Sequence, residues 1–225
     1  MSIEGVLFDV DGTLVDTTYL HAVSWSEALA QQGYVVTTAR IHRGIGMGTG
    51  ELLDELLGPD RPEGLDEAAS AGHQVLYRAH FGHLRPLVGA NGLLRWCQDQ
   101  GIRTVLASAA SKEELNALTD ALEAGDAITA ATSADDVEAS KPNPDIVHGA
   151  LEQLGLSPDR CVFVGDAVWD ALAADAAEVS FIGLTCGGTG EAELRAAGAA
   201  EVWRDPQDLL DNVSTSLLGA DRCAT

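Results

Sequence analysis

Short β-branched apolar runs recur along the chain at residues 5–10, 103–107, 127–131, 161–164 and 181–185, each bounded by Gly or polar residues and separated from the next by amphipathic stretches. Runs of that length with helical patterns between them predict an α/β protein, a mostly parallel sheet covered on both faces. The predicted helices carry ordinary punctuation. Residues 91–100 stop before Gly101, residues 144–154 open on Pro144 and stop before Gly155, and residues 191–197 stop at Gly198.

Residues 18–84 break the rhythm, because they hold amphipathic patterns and a Gly-rich stretch but no convincing strand. They are expected to form a helical insertion, leaving residues 1–17 and 85–225 as the sheet-bearing core, with Pro86 in the return linker. The 225 residues, 46% of them hydrophobic, suffice for such a core. A net charge of −22 excludes nucleic acid and anionic membranes as partners, since both require Lys and Arg to replace counterions. Widely spaced Cys97, Cys161, Cys186 and Cys223 form no metal-binding pair, and Cys97 and Cys161 fall in apolar patterns. With no membrane-length apolar run and no leader pattern, a cytoplasmic protein is expected, monomeric by default, with oligomers left open.

The stretch VLFDVDGTLVDT, residues 6–17, ends its apolar run on Asp9 and Asp11, with Asp16 close behind and no Lys or Arg among them. Two carboxylates about 4 Å apart repel by roughly 4 kcal/mol at an effective dielectric of 20. In an open parallel sheet, ligands bind beyond the carboxyl ends of the strands. At those ends stand Asp9 and Asp11, then Ser108, and later Asp166 and Asp170, while Lys141 precedes a Pro-started helix. Each alone has an ordinary role in a turn or a helix cap; together they place carboxylates, a hydroxyl and a lysine on one rim. A hard divalent cation suits an all-oxygen set, and Mg²⁺ is expected.

DVDGT (9–13), LASAAS (106–111), SKPNPDI (140–146) and VGDAVWD (164–170) resemble, in order, the four motifs of the haloacid dehalogenase superfamily, in its phosphatase and β-phosphoglucomutase branch. The resemblance implies a Rossmann-like core with an inserted α-helical cap. It further implies a phosphatase acting on a small phosphorylated metabolite, with Asp9 as nucleophile, Asp11 as general acid and base, Ser108 and Lys141 holding the phosphoryl group, and Ala109 offering backbone donors. Asp9, Asp166 and the Asp11 carbonyl would bind Mg²⁺, with Asp170 in direct contact or in support. Ala167 stands where many relatives carry Ser.

Within the insertion, His21 and Trp25 lie four residues apart and share a helix face. Packing would explain such a pair, but it resembles the β-phosphoglucomutase pattern, which implies contact with substrate. The Gly-rich residues 43–53 fit neither phosphate-loop pattern and read as a flexible cap loop leading into a helix, close to the substrate, while GGTG at 187–190 reads as a simple connecting loop at the rim. Where the mutase carries the arginine gripping a second phosphate, this chain has Thr49 or a neighbouring Gly, which favours a phosphatase unless Arg43 or Arg78 substitutes. The alternatives are a sugar phosphomutase, a haloacid dehalogenase and a non-catalytic phosphate-ligand binding protein.

Overall fold

The computed structural model describes residues 3–133, 136, 137 and 139–219; Cys223 lies outside them. Six strands, β1 (Gly5–Phe8), β2 (Arg103–Ala107), β3 (Ala130–Thr132), β4 (Cys161–Gly165), β5 (Ser180–Leu184) and β6 (Glu201–Trp203), form one sheet in the order β3-β2-β1-β4-β5-β6, and every pairing is parallel. The chain first walks outward from β1 through β2 to β3, then crosses back to β4 on the other side of β1. Strand order therefore reverses between β1 and β4, and the crevice beyond their carboxyl ends is where such a sheet binds ligands.

Four helices lie between β1 and β2: α1 (Thr18–Gln31), α2 (Thr38–Gly44), α3 (Thr49–Leu57) and α4 (Leu65–Arg78). They build an apolar cluster of their own around Trp25, Leu29, Ile41, Leu52, Leu53 and Ala69. α1 and α4 approach closely because Gly72 meets Ala28, and even an added Cβ would stand 3.4 Å from the Ala28 methyl.

The sheet buries both faces through the two-residue period of its strands. Val6, Phe8, Leu106, Val162, Val164 and Ile182 pack on one side against α5 (Ala90–Asp99) and α6 (Lys112–Leu122). Leu7, Val105, Ala107, Phe163 and Phe181 pack on the other against α7 (Asp145–Leu154), α8 (Val168–Ala176) and α9 (Glu191–Ala196). A last helix, α10 (Pro206–Asp211), docks beside α5 through Leu209.

Several boundaries differ from the sequence reading for local reasons. β1 ends at Phe8, not Val10, because the Val10 carbonyl turns to accept the amides of Thr13, Leu14 and Val15. Residues 125–127 make a 3₁₀ turn, so β3 begins only at Ala130. Pro144 stands at the N-cap and α7 begins one residue later. β6 and α10 were not anticipated; β6 has three partly buried residues, Glu201, Val202 and Trp203, too few to show a period.

Gly89 ends the return linker with φ +85°, and a Cβ there would lie 2.4 Å from the backbone of Gln207 at the start of α10. Gly89→Ala should therefore destabilise the fold by at least about 1–3 kcal/mol, the cost of a strained left-handed residue, read as a lowered urea midpoint with an unchanged m-value.

Candidate active site

The buried acids converge where strand order reverses. Asp9 follows β1, Asp166 follows β4, and Asp170 lies in the first turn of α8, where its Oδ2 accepts the Ala167 amide at 3.0 Å. One carboxylate oxygen from each of the three lies within 4.8 Å of the others. Lys141, fully buried, spans two of them, with Nζ 2.6 Å from Asp9 Oδ1 and 2.7 Å from Asp170 Oδ1. The Thr13 hydroxyl sits 2.8 Å from Asp166 Oδ1 and 3.3 Å from Asp9 Oδ2, so a single proton serves two carboxylates.

Three acids and one ammonium leave surplus negative charge. At 4.8 Å each carboxylate pair repels by about 3.5 kcal/mol at an effective dielectric of 20. Burial, reinforced by Asp170 and Asp11, raises the Asp9 carboxyl to about 7 even though Lys141 opposes the shift. Burial likewise holds Asp166 well above the carboxylate range, with Asp9 and Asp170 adding to it. Burial alone would lower the Lys141 ammonium, but Asp170 and Asp9 raise it, so it stays charged. The all-oxygen donor set suits a hard divalent cation. Glycines keep space around it: a Cβ at Gly187 would lie 1.6 Å from Asp166 Oδ2 and one at Gly12 2.7 Å away. The GGTG stretch, expected at the rim as a simple connecting loop, thus also forms a wall of the acid cluster.

Asp11 faces the insertion. Its Oδ1 accepts the Thr17 hydroxyl at 2.7 Å and faces His21 Nε2 at 3.1 Å, and its Oδ2 faces the Ser108 hydroxyl at 3.4 Å. Thr17 occupies the N-cap of α1 without capping it, because its hydroxyl is committed to Asp11. Burial alone would raise Asp11, but the charge and hydrogen bond of His21, with Thr17, leave it below the carboxylate range. His21 shows the converse: burial would lower it, and Asp11 raises it. The second ring nitrogen of His21, Nδ1, meets His73 Nε2 at 3.0 Å. Burial and the neighbouring His21 push His73 down to about 2, so His73 is the neutral member of that pair. Trp25 stacks on His73 with ring centroids 4.3 Å apart, and Tyr77 stacks on His21 at 3.9 Å.

A cavity of about 270 Å³ opens over Asp9, Asp11 and Lys141; Ala109 lies in its wall, His21 and Trp25 line its insertion side, and Thr49 lies farther along. Ser108, fully buried, stands just behind. Asp166 instead borders a second cavity of about 320 Å³ that also touches His42, Arg43 and Trp169. Across this second cavity Trp169 Nε1 donates to the Arg43 carbonyl at 2.8 Å, and His42 Nε2 meets the Gly187 carbonyl at 2.9 Å. Neither arginine considered as a phosphate grip lines the cavity over Asp9: Arg43 pairs with Glu193, and Arg78 with Glu113.

His73, Ser70, Gln74 and Glu114 also line that cavity and were not singled out from sequence. Part of the signal was present. Ala69, His73 and Tyr77 recur every four residues along α4, a buried helix stripe carrying two polar rings.

A family model described as haloacid dehalogenase-like hydrolase matches residues 3–178. The phosphoglycolate phosphatase of Rhodospirillum rubrum is 28% identical over 97% of this chain and 94% of its own length. Among solved structures, a hydrolase from Pseudomonas syringae is 32% identical with a TM-score of 0.90, covering 94% of this chain and 98% of that one. The β-phosphoglucomutase of Clostridium difficile, 23% identical, shares the fold with a TM-score of 0.82, covering 97% of this chain and 98% of its own. The chain belongs to the haloacid dehalogenase-like hydrolases.

Between pH 3.8 and about 7 Asp9 and Asp166 hold protons that the unfolded chain releases, which outweighs the one proton that His73 gives up on folding, so the folded protein binds more protons there. Stability of the metal-free protein should therefore fall as pH rises through that window, and added Mg²⁺ should raise the melting temperature more at pH 8 than at pH 5. In Gly187→Ala the Mg²⁺-dependent rise should disappear, and the metal-free melting temperature should fall as well because the added Cβ displaces the buried Asp166 side chain; an undiminished rise would place the cation elsewhere.

Proposed function

We propose that this hydrolase is a Mg²⁺-dependent phosphatase releasing phosphate from a small phosphorylated metabolite through a phosphorylated Asp9. The observation that carries the reading is Lys141, held between Asp9 and Asp170 with Asp166 alongside, in a cavity that Asp9 and Asp11 also line. Phosphoglycolate phosphatase relatives along nearly the whole chain support the reaction class.

Asp9, Asp166 and the Asp11 carbonyl would hold the cation, which when bound supplies positive charge against the phosphate oxygens and restores Asp9 to its ionised form. Asp170 has its oxygens on Lys141 and the Ala167 amide, so its role is to anchor the ammonium. With Asp9 Oδ1 engaged by Lys141, the opposite oxygen attacks phosphorus in line with the leaving oxygen, forming the Asp9–phosphorus bond as the phosphorus–oxygen ester bond breaks. Lys141 and the Ser108 hydroxyl hold the phosphoryl oxygens. Asp11 gives the departing alkoxide a proton, then takes one from the water that splits the aspartyl phosphate.

Without substrate the proton of the Asp11–His21 pair rests on the imidazole, since the carboxyl is depressed and the ring is raised. The general acid is accordingly the pair: the ring returns its proton across the 3.1 Å contact as the phosphate brings negative charge to Asp11. His21 and Trp25 thus tie the helical cap to the chemistry, and closure of residues 18–84 over the core would exclude water from it. Lys141 is the only Lys or Arg among the described residues lining the cavity, which supports hydrolysis over a mutase needing a second phosphate grip.

Asp9→Asn should abolish Mg²⁺-dependent phosphate release across a metabolite panel, and turnover surviving near the wild-type rate would remove the mechanism. Asp11→Asn should lower kcat by about 10²–10⁴, the range for a lost general acid, while stoichiometric phosphorylation of Asp9 survives in a rapid-quench experiment. In His21→Gln the alkaline limb of the kcat/KM profile should move to lower pH, because Asp11 would then carry the proton alone.

A further inference from the structure

We propose that the leaving group of the substrate is neutral and hydroxylated, a sugar or polyol, and that Glu114 selects it against leaving groups bearing a second anion; this rests on the phosphatase reading. Beyond the acids and Lys141, the cavity is lined by the apolar Ile45, Met47 and Leu52 and by the polar Thr49, Ser70, Gln74 and Glu114. Hydroxyls and an amide both donate and accept hydrogen bonds, as sugar hydroxyls require.

Glu114 is 9% exposed. Its Oε2 closes the capping box of α6, accepting the Ser111 amide at 2.9 Å and the Ser111 hydroxyl at 3.0 Å. Its Oε1 is buried with no hydrogen-bond partner among the described residues. A capping box needs only one carboxylate oxygen, so the other is an unfilled acceptor on a residue that lines the cavity, and a substrate hydroxyl supplies the missing donor.

Among the described residues lining the cavity, no cationic side chain is free to answer a carboxylate or second phosphate on the leaving group. Lys141 is committed to Asp9 and Asp170 and faces the transferring phosphate. Both ring nitrogens of His21 are taken, by Asp11 and His73. His73 is bonded to His21 through Nε2 and sandwiched among aromatic rings. A second anion would thus meet the Glu114 charge without a compensating donor.

The test compares kcat/KM of the Mg²⁺-supplied protein for sorbitol 6-phosphate, phosphoglycolate and p-nitrophenyl phosphate. The polyol ester should exceed phosphoglycolate by about tenfold or more, the effect of one nearby charge in a partly screened site. Glu114→Gln keeps an oxygen for the α6 cap and should shrink that ratio about tenfold, chiefly through a lower KM for phosphoglycolate. Gln74→Arg, at an exposed position on the cavity rim, should shrink it independently, so a poorly folded Glu114 variant does not end the test. A wild-type preference for phosphoglycolate, or a ratio unmoved in both folded variants, would overturn the inference while leaving the phosphatase reading intact. Absence of phosphate release from all three esters would instead overturn that reading, and the inference with it.

Discussion

A single buried ammonium makes the rest of the site possible. Lys141 has no solvent exposure, and its partners Asp9 and Asp170 have almost none, so each would be costly to bury alone. Lys141 comes from the loop before α7, Asp9 from the end of β1 and Asp170 from the first turn of α8. The ion pairs therefore fix a strand end, a loop and the start of a helix to one another at the point where strand order reverses. Even so, one positive charge faces three carboxylates, and the remainder shows in the raised Asp9 and Asp166. The fold stores an electrostatic deficit that a cation can fill.

The second organising contact crosses from core to insertion. Asp11 is held by Thr17 at the mouth of α1 and by His21 one turn into it, and His21 leans on His73 of α4. The protonation state of the acid on the core thus depends on residues of two inserted helices. A helical insertion that shifted relative to the sheet would alter the Asp11 carboxyl as well as the shape of the cavity, and in the proposed mechanism this would join shielding and proton transfer in one movement. On the other side of the acid cluster, Trp169 and Gly187 of the core meet Arg43 and His42 of α2, so the insertion grips the core at two separated places.

The residues legible in the sequence share a physical trait: Asp9, Asp11, Ser108, Asp166 and Asp170 sit at or just beyond strand ends, where a local apolar run announces the strand and its last residue announces the rim. Lys141 was legible through the short motif around it. His73 and Glu114 lacked such a marker, because each lies within a helix whose pattern is satisfied by packing or capping, and only juxtaposition reveals that they line the cavity. Gly187 was placed at the rim as part of a simple connecting loop, but its role there was not legible, since nothing in GGTG tells that Asp166, just after a neighbouring strand, needs the space a side chain would fill. The short β6 and the helix after it were missed because three residues carry too little periodicity to register.

By itself the sequence determined an α/β chain, the interruption of its strand rhythm between residues 18 and 84, and the family to which its four motifs belong, because periodicity and short motifs are properties of neighbouring residues. Only the tertiary structure decided which acid pairs with the lysine, which oxygen of Glu114 is left over, and which imidazole stays neutral. Those outcomes depend on distances of a few ångströms between segments far apart in the chain, and on how completely the packing around them excludes water.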